Sequence, residues 1–280
     1  MKKLVIGLAA AGSCFTSNVF AQTTQKSQSQ TGFYVGVHGG YSLPIATQNI
    51  NHLNFSNETE QDGGNRFDDI LLSLGKGGNA GINIGYMFNQ NLGAELGVDY
   101  LFGTKYDAKY RDPSDPDYTF DQYLSAKMVQ FKPSVVLRTS YDQITPYAKL
   151  GFVIGVGSTI KYEENEHFGS NNYEYEMEMK EGVGFGLNGA IGLDYALNNN
   201  MSVFGEITAV SMNYAPKKGY VTQALQNGTD YLPELSVRDK EIEFLDDFTD
   251  NGSANEPEKQ QRQSYPFSSI GLNLGLKYRF

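Results

Sequence analysis

The sequence predicts an all-β protein, a closed antiparallel up-and-down β-barrel of eight strands that crosses a membrane. Two patterns favour this fold: apolar residues alternate with Gly, Ser and Asn along eight segments, and short turns alternate with long polar segments between them. The composition agrees, because 31 Gly, 19 Tyr and 17 Phe among 280 residues are typical of many short strands and turns. A mean hydropathy of −0.42 excludes a bundle of transmembrane helices.

The eight segments alternate with a period of two, so each strand has one apolar face and one small or polar face. A soluble sandwich would carry long charged side chains on every water-facing strand, whereas here that face is mostly Gly, Ser and Asn with single charges. Small residues suit a narrow lumen, and the apolar face suits lipid. The sheet must then close, because lipid cannot satisfy backbone groups. The predicted strands are 33–41, 80–88, 92–103, 129–138, 148–157, 183–195, 202–209 and 270–280.

The connections alternate in length, which is typical of an outer-membrane barrel with periplasmic turns and extracellular loops. Three are short, and four are long. The short turns are 89–91, 141–143 and 198–200, and the long loops are 43–78, 104–124, 161–180 and 215–266.

Two of the long segments contain strand patterns of their own. Residues 173–180 alternate and are predicted to be the part of the sixth strand that projects above the membrane, with one charged face. A further hairpin around Asn227-Gly228 would raise the count to ten strands, since this dipeptide favours a tight turn.

The first 21 residues have the pattern of a secretory signal peptide. Lys2 and Lys3 form the charged region, residues 4–12 are apolar, and small or branched residues precede a cut after Ala21. Cys14 lies inside it. An alternative interpretation makes Cys14 the lipidated first residue of the mature chain, but the Leu usually found three positions before such a cysteine is absent. Residues 22–30 are polar and predicted to be a disordered lead, so the barrel spans 31–280, and its lack of cysteine excludes disulfides and Cys-rich metal sites.

Three stretches resemble one family: TGFYVG at 31–36, NLGAELGV at 91–98 and GLKYRF at 275–280. They resemble the small eight-stranded outer-membrane β-barrel family, which includes the OmpA transmembrane domain, OmpX and the opacity proteins. The resemblance covers residues 31–280 and implies the outer membrane of a Gram-negative cell. It also implies that Phe280, Tyr278 and Leu276 form the signal read by the barrel-assembly machinery. Outer-membrane lipid is the other expected partner, and we expect a monomer.

The predicted lumen face is charged at a few positions. An eight-stranded interior is just wide enough to be filled by side chains, and isolated buried charges are costly, so these residues should pair. We expect a network of the type Glu95/Glu206 with Lys149/Arg138, and water could reach Lys277 and Arg279 near the periplasmic end. The network would be a structural plug or a polar path for small solutes. Its predicted members are Glu95, Asp99, Lys132, Arg138, Lys149, Asp194 and Glu206.

The acidity of the chain lies in the long loops, whose net charges are −3, −2, −4 and −4. No basic stripe is present, which argues against a nucleic-acid partner. Acidic loops are usually simply solvated, but they could attract divalent cations, a basic surface ligand or a host factor. In the last loop Asp247, Thr249 and Asn251 begin a spacing like that of a calcium loop. Thr at the third position and Pro257 favour coincidence, so we predict no metal site.

No motif predicts catalysis. His38 falls on the lumen face and His52 and His167 fall in loops, without a nucleophile and an acid held beside them. The sequence therefore predicts a non-enzymatic protein without a cofactor. We expect a structural or surface-interaction role through the acidic loops. The alternative is a narrow passive pore for small solutes through a polar, salt-bridged lumen.

Overall fold

The computed structural model describes residues 31–50, 53–61, 64–139 and 143–280, so the predicted signal peptide and polar lead lie outside the described residues. Within these ranges no helix is long and apolar enough to cross a membrane. The helical segments are a 3-10 turn, Leu232–Glu234, and α1, Val237–Lys240. In chain order the strands are β1 (Gly32–Pro44), β2 (Ser56–Gln61), β3 (Gly64–Asp69), β4 (Gly77–Met87), β5 (Leu92–Gly103), β6 (Tyr106–Arg111), β7 (Tyr118–Arg138), β8 (Ile144–Phe168), β9 (Asn171–Lys180), β10 (Val183–Ala196), β11 (Met201–Ala215), β12 (Lys218–Gln226), β13 (Thr229–Asp230), β14 (Glu241–Leu245), β15 (Glu258–Gln261), β16 (Tyr265–Pro266) and β17 (Ser269–Arg279).

Eight strands close into a ring. Its order is β1, β4, β5, β7, β8, β10, β11 and β17, and each strand is antiparallel to both neighbours. The last strand, β17, pairs with β1 from Tyr34–Arg279 to Pro44–Ser269. The ring therefore has no free edge, as a sheet in lipid requires, and the predicted eight-stranded antiparallel barrel is confirmed.

The two faces of the ring have the polarity of a membrane barrel. Large apolar side chains point outward, as in Phe185 and Leu274, which are 63% and 65% exposed, while charged side chains such as Lys149 and Glu206 are buried inside. Outward aromatic pairs lie near the ends of the strands, for example Tyr278 with Phe280 and Tyr100 with Phe102. Such aromatic pairs mark the interfaces of a membrane.

Two ring strands are much longer than predicted. β7 has 21 residues and β8 has 25, so the long segments 104–124 and 161–180 are largely strand. A register shift between Lys127 and Val129, next to Gly157 at φ +58°, marks where the long strands change character. Beyond it apolar residues still alternate, but the other face is charged, which is the pattern of a strand with water on one side.

Beyond the ring the hairpins form an open sheet, here called the distal sheet. Its order is β3, β2, β6, β7, β8, β9, β12, β14 and β15. Residues 173–180 project beyond the ring as predicted, but they are not part of the sixth ring strand: they form a separate strand, β9, which ends at Lys180 before β10 begins at Val183. The predicted hairpin at Asn227-Gly228 also forms, with φ of 51° and 77° at its two turn residues. It joins β12 to β13, and β12 pairs with β9 above the ring, so the ten-stranded alternative is wrong.

The long-loop end of the ring is filled by a hydrophobic core that the sequence does not predict. We call it the mouth core. Side chains from the β1–β4 and β15–β17 connections enter it, with Leu72, Leu74 and Phe267 essentially inaccessible to solvent. They pack against inward residues of the ring strands. Its largest buried members are Phe55, Leu72, Leu74, Leu124, Met128, Val153, Ile160, Met179, Tyr214, Tyr265 and Phe267.

Candidate functional site

The middle of the lumen holds one lysine between two glutamates. Lys149 Nζ lies 2.7 Å from Glu95 Oε1 and 2.8 Å from Glu206 Oε2, and all three side chains are buried. The Tyr34 hydroxyl donates to Glu95 at 2.7 Å, and the Tyr147 hydroxyl donates to Glu206 at 2.9 Å. Two tyrosine–glutamate pairs therefore converge on one ammonium group. We call Glu95, Lys149 and Glu206 the central triad.

Glycines on neighbouring strands make room for the two tyrosines. A Cβ on Gly85 would overlap the ring of Tyr34, and a Cβ on Gly192 would overlap the ring of Tyr147. Each ring therefore lies in close contact with the backbone of a glycine, with its hydroxyl directed at a glutamate. This packing explains why small residues are required on the lumen face at these positions.

A second ion cluster lies toward the mouth core. Asp99 forms an ion pair with Lys132, and its Oδ1 lies 3.0 Å from His38 Nε2. The cavity between this cluster and the central triad measures about 30 Å³. That volume suits one or two water molecules and is too small for a solute.

A third cluster lies toward the short turns. Lys277 Nζ is 2.8 Å from Asp194 Oδ1, and Arg279 is 3.2 Å from Oδ2. Lys277 also sits among aromatic rings, 5.1 Å from the centroid of Tyr34 and 4.8 Å from that of Tyr147. Its side chain is only 6% exposed, so the expectation that water could reach Lys277 is wrong, whereas the Arg279 side chain is 20% exposed and accessible.

Six of the seven predicted network residues fall into these three clusters, and Arg138 lies near the third, within electrostatic range of Asp194 and Arg279. The Nε of Arg138 donates to the carbonyl of Gln90 in a short turn at 3.2 Å, below the level of Lys149. Sequence reasoning also missed Tyr34 and Tyr147. The available signal was that both are large aromatic residues on a face otherwise made of small and polar side chains.

A weak point in the barrel wall lies beside the central triad. Pro133 has no amide hydrogen and cannot donate a hydrogen bond to the neighbouring strand. The flanking pairs Phe131–Ile154 and Ser134–Gly151 place it opposite Phe152, and β7 and β8 are not paired at this position. The carbonyl of Phe152 accepts instead from Asn188 Nδ2, which reaches it through the lumen at 2.7 Å. Asn188 therefore replaces the hydrogen bond that proline cannot donate.

Asn188→Ala is expected to lower the free energy of unfolding by about 1–3 kcal/mol, because it leaves a buried carbonyl without a donor. In a Pro133→Val background, valine restores the backbone N–H, and the same change should cost much less. Urea titration of the folded barrel in detergent measures both effects. Equal costs in the two backgrounds would contradict this account of Asn188.

The remaining histidines offer no catalytic arrangement among the described residues. His38 belongs to the Asp99 cluster, and His167 contacts Asn172 at the exposed tip of β8. His52 lies outside the described residues.

In the last loop, the segment with the calcium-like spacing contains an aspartate that pairs with an arginine. Asp250 accepts two hydrogen bonds from Arg238, at 2.8 and 2.6 Å, and a third from the Gly252 amide. These bonds hold the pKa of the Asp250 carboxyl below its usual range. No group of three metal-ligating side chains occurs within the described ranges.

The predicted assembly signal lies on the outside of β17, at the short-turn end. Leu276, Tyr278 and Phe280 are 46%, 43% and 75% exposed and face the lipid side. Their recognition by the assembly machinery stays a prediction.

A closed eight-stranded ring, apolar outside and ion-paired inside, is the architecture of an outer-membrane barrel. Residues 7–232 match the family described as "Outer membrane protein beta-barrel domain". The chain belongs to this family. The predicted location, the outer membrane, is thereby confirmed, and the short turns of such barrels face the periplasm.

Two solved structures are similar to the chain. The outer membrane protein OprG from Pseudomonas aeruginosa is 13% identical, with 90% of this chain and 97% of that one covered and a TM-score of 0.45. Neisserial surface protein A is 14% identical, with 89% and 97% covered and a TM-score of 0.34. No curated protein matches the chain's sequence.

Proposed function

We propose that this outer-membrane barrel is a non-conducting anchor that presents the distal sheet to molecules outside the cell. The observation that carries the proposal is the double closure of the lumen, by ion clusters in the membrane and by the mouth core above them. A pore needs a continuous polar path, and the cavity between the ion clusters measures only about 30 Å³, which is too small for a solute.

The central triad supports closure because its members hold one another across the lumen. Glu95, Lys149 and Glu206 come from β5, β8 and β11, which do not pair with one another in the ring. Opening a path there would leave at least one buried charge without its partner, which costs several kcal/mol. A pore that opened when these ion pairs exchanged partners would therefore be energetically unfavourable at the level of the central triad.

The distal sheet supports a surface role because ion pairs brace its outward face. Glu163 pairs with Lys105 and, at 2.8 Å, with Lys161, which is 2.6 Å from Glu176. Partial burial opposes ionisation of Glu163, but the two lysines outweigh it and hold the pKa of this carboxyl below its usual value. A braced, acidic sheet is suited to contact a basic partner.

The alternative, a narrow passive pore, draws support only from the polar lumen lining. The mouth core opposes it, since a solute that passed the ion clusters would still meet a layer of buried apolar side chains. The proposal assigns no catalytic step to the chain.

Single-channel recording in a planar bilayer tests the proposal. The refolded protein should insert without current steps, and so should E95A/K149A/E206A, because the mouth core still closes the barrel. L72S/L74S should also be silent, because the ion clusters remain. Reproducible steps from the unaltered protein would overturn the proposal, provided that heating shifts its electrophoretic mobility as expected of a folded barrel.

A further inference from the structure

The outward faces of β7 and β8 change abruptly from apolar to charged, and the first charged residues are lysines. Ascending the hairpin, the facing pairs are Phe131–Ile154 and then Val129–Val156. The next pair, immediately beyond the register shift, is Lys127–Thr159, followed by Ser125–Lys161. The inward neighbours Ala126, Met128, Ser158 and Ile160 are buried, which directs the intervening side chains outward.

This change marks the outer boundary of the lipid. The chain lies in the outer membrane, and its long hairpins point away from the periplasm. The apolar pairs Phe131–Ile154 and Val129–Val156 therefore lie at the level of acyl chains. Lys127 and Lys161, one and two steps higher, lie at the level of lipid headgroups.

A third lysine joins the two on the same face. Tyr123 is the next outward residue beyond Ser125 on β7, farther from the membrane. Lys105 Nζ lies 4.6 Å from the centroid of its ring. We call Lys105, Lys127 and Lys161 the lysine cluster. Lys127 and Lys161 are diagonal neighbours across one strand pair, a separation of about 7–8 Å between backbones, so their long side chains can reach a common oxyanion.

The cluster retains positive charge after its internal pairs are counted. Glu163 lies between Lys105 and Lys161, and Lys161 also contacts Glu176. Among the described residues no carboxylate oxygen lies within 4 Å of Lys127 Nζ. The hydroxyls of Ser125 and Thr159 flank it on the same outward face, adding donors for an anion.

We propose that the lysine cluster binds the phosphate groups of a phosphorylated lipid in the outer leaflet. The lysines supply charge-assisted hydrogen bonds to phosphate oxygens, and the apolar pairs directly below contact the acyl chains. A soluble phosphate would contact the lysines alone, whereas a phosphorylated lipid contacts the lysines and the apolar pairs together. This inference rests on the position of the barrel in the membrane and is independent of whether the lumen conducts.

Native mass spectrometry of the folded protein in a zwitterionic detergent tests the inference, with diphosphoryl lipid A as the probe. The unaltered protein should bind one or two lipids. K127Q/K161Q should bind about 25-fold more weakly, because each headgroup-level lysine contributes roughly a factor of five. K127R/K161R keeps the charge and should retain binding.

The matched control is K109Q/K240Q, which removes two lysines outside the cluster, on β6 and α1. It should bind diphosphoryl lipid A as the unaltered protein does. Enzymatically dephosphorylated lipid A should bind the unaltered protein no better than it binds K127Q/K161Q. Inorganic phosphate added at equal concentration should not compete the lipid away.

Equal binding by K127Q/K161Q and the unaltered protein would overturn the inference. So would an equal loss in K109Q/K240Q, which would indicate attraction by net charge only. Competition by inorganic phosphate alone would also overturn it, since acyl contacts would then contribute nothing. A heat-dependent mobility shift of each variant on gels establishes that it is folded, because all four altered positions have exposed or half-exposed side chains.

Discussion

Replacing Lys149 with alanine is expected to lower the free energy of unfolding by about 3–5 kcal/mol. The ammonium group lies within 2.8 Å of both Glu95 and Glu206, and its loss would leave two buried carboxylates facing each other. Tyr34 and Tyr147 would still donate to them, but hydroxyl hydrogen bonds do not neutralise charge. Urea-induced unfolding in detergent, followed by circular dichroism, measures the change.

The matched control is Lys109→Ala, because Lys109 is half exposed on β6 and contacts Asp107 at 3.5 Å. An exposed pair contributes at most about 1 kcal/mol, so this variant should unfold nearly as the unaltered protein does. Adding E95Q/E206Q to Lys149→Ala should recover much of the loss by removing the stranded charges. A cost below about 1 kcal/mol for Lys149→Ala would show that water or rearranged partners stabilise the carboxylates.

Leu72→Ala is expected to cost about 2–5 kcal/mol, because the side chain is fully buried in the mouth core and its loss leaves a cavity. The neighbouring Leu71 is 58% exposed, so Leu71→Ala should change the free energy of unfolding by less than about 0.5 kcal/mol. Hydrogen exchange should show the difference locally, as faster exchange in the β1–β4 connection of Leu72→Ala alone. Similar effects of the two substitutions would mean that the mouth core is not packed as described.

The barrel could be predicted in detail because its main signals are local. Alternation along 270–280 already gives an outward face of Ile270, Leu272 and Leu274, and the structure keeps that face toward lipid. The period of two follows from the geometry of one strand. Closure then follows from the absence of hydrogen-bonding partners in lipid. No long-range information is needed for either step.

The sequence pattern underestimates the lengths of β7 and β8 for a similar local reason. The sequence pattern begins one strand at 129 and ends the next at 157, because the alternation of lipid-facing residues stops near Val129 and Val156. The chain continues as strand beyond that point, with Lys127 and Lys161 on the face that was apolar below. A sheet that leaves lipid for water keeps its period and changes only the chemistry of one face.

The sequence by itself determined the class of the protein: eight alternating strands, an apolar exterior and a lumen whose charges must pair. Only the tertiary structure decided which charges meet. Lys149 takes both Glu95 and Glu206, whereas Arg138 lies at a short turn. It also decided that Leu72 is buried and Leu71 is exposed. Partners across a lumen depend on the stagger of strands around the closed ring, and loop burial depends on contacts between distant segments. Neither is encoded in the period of a single strand.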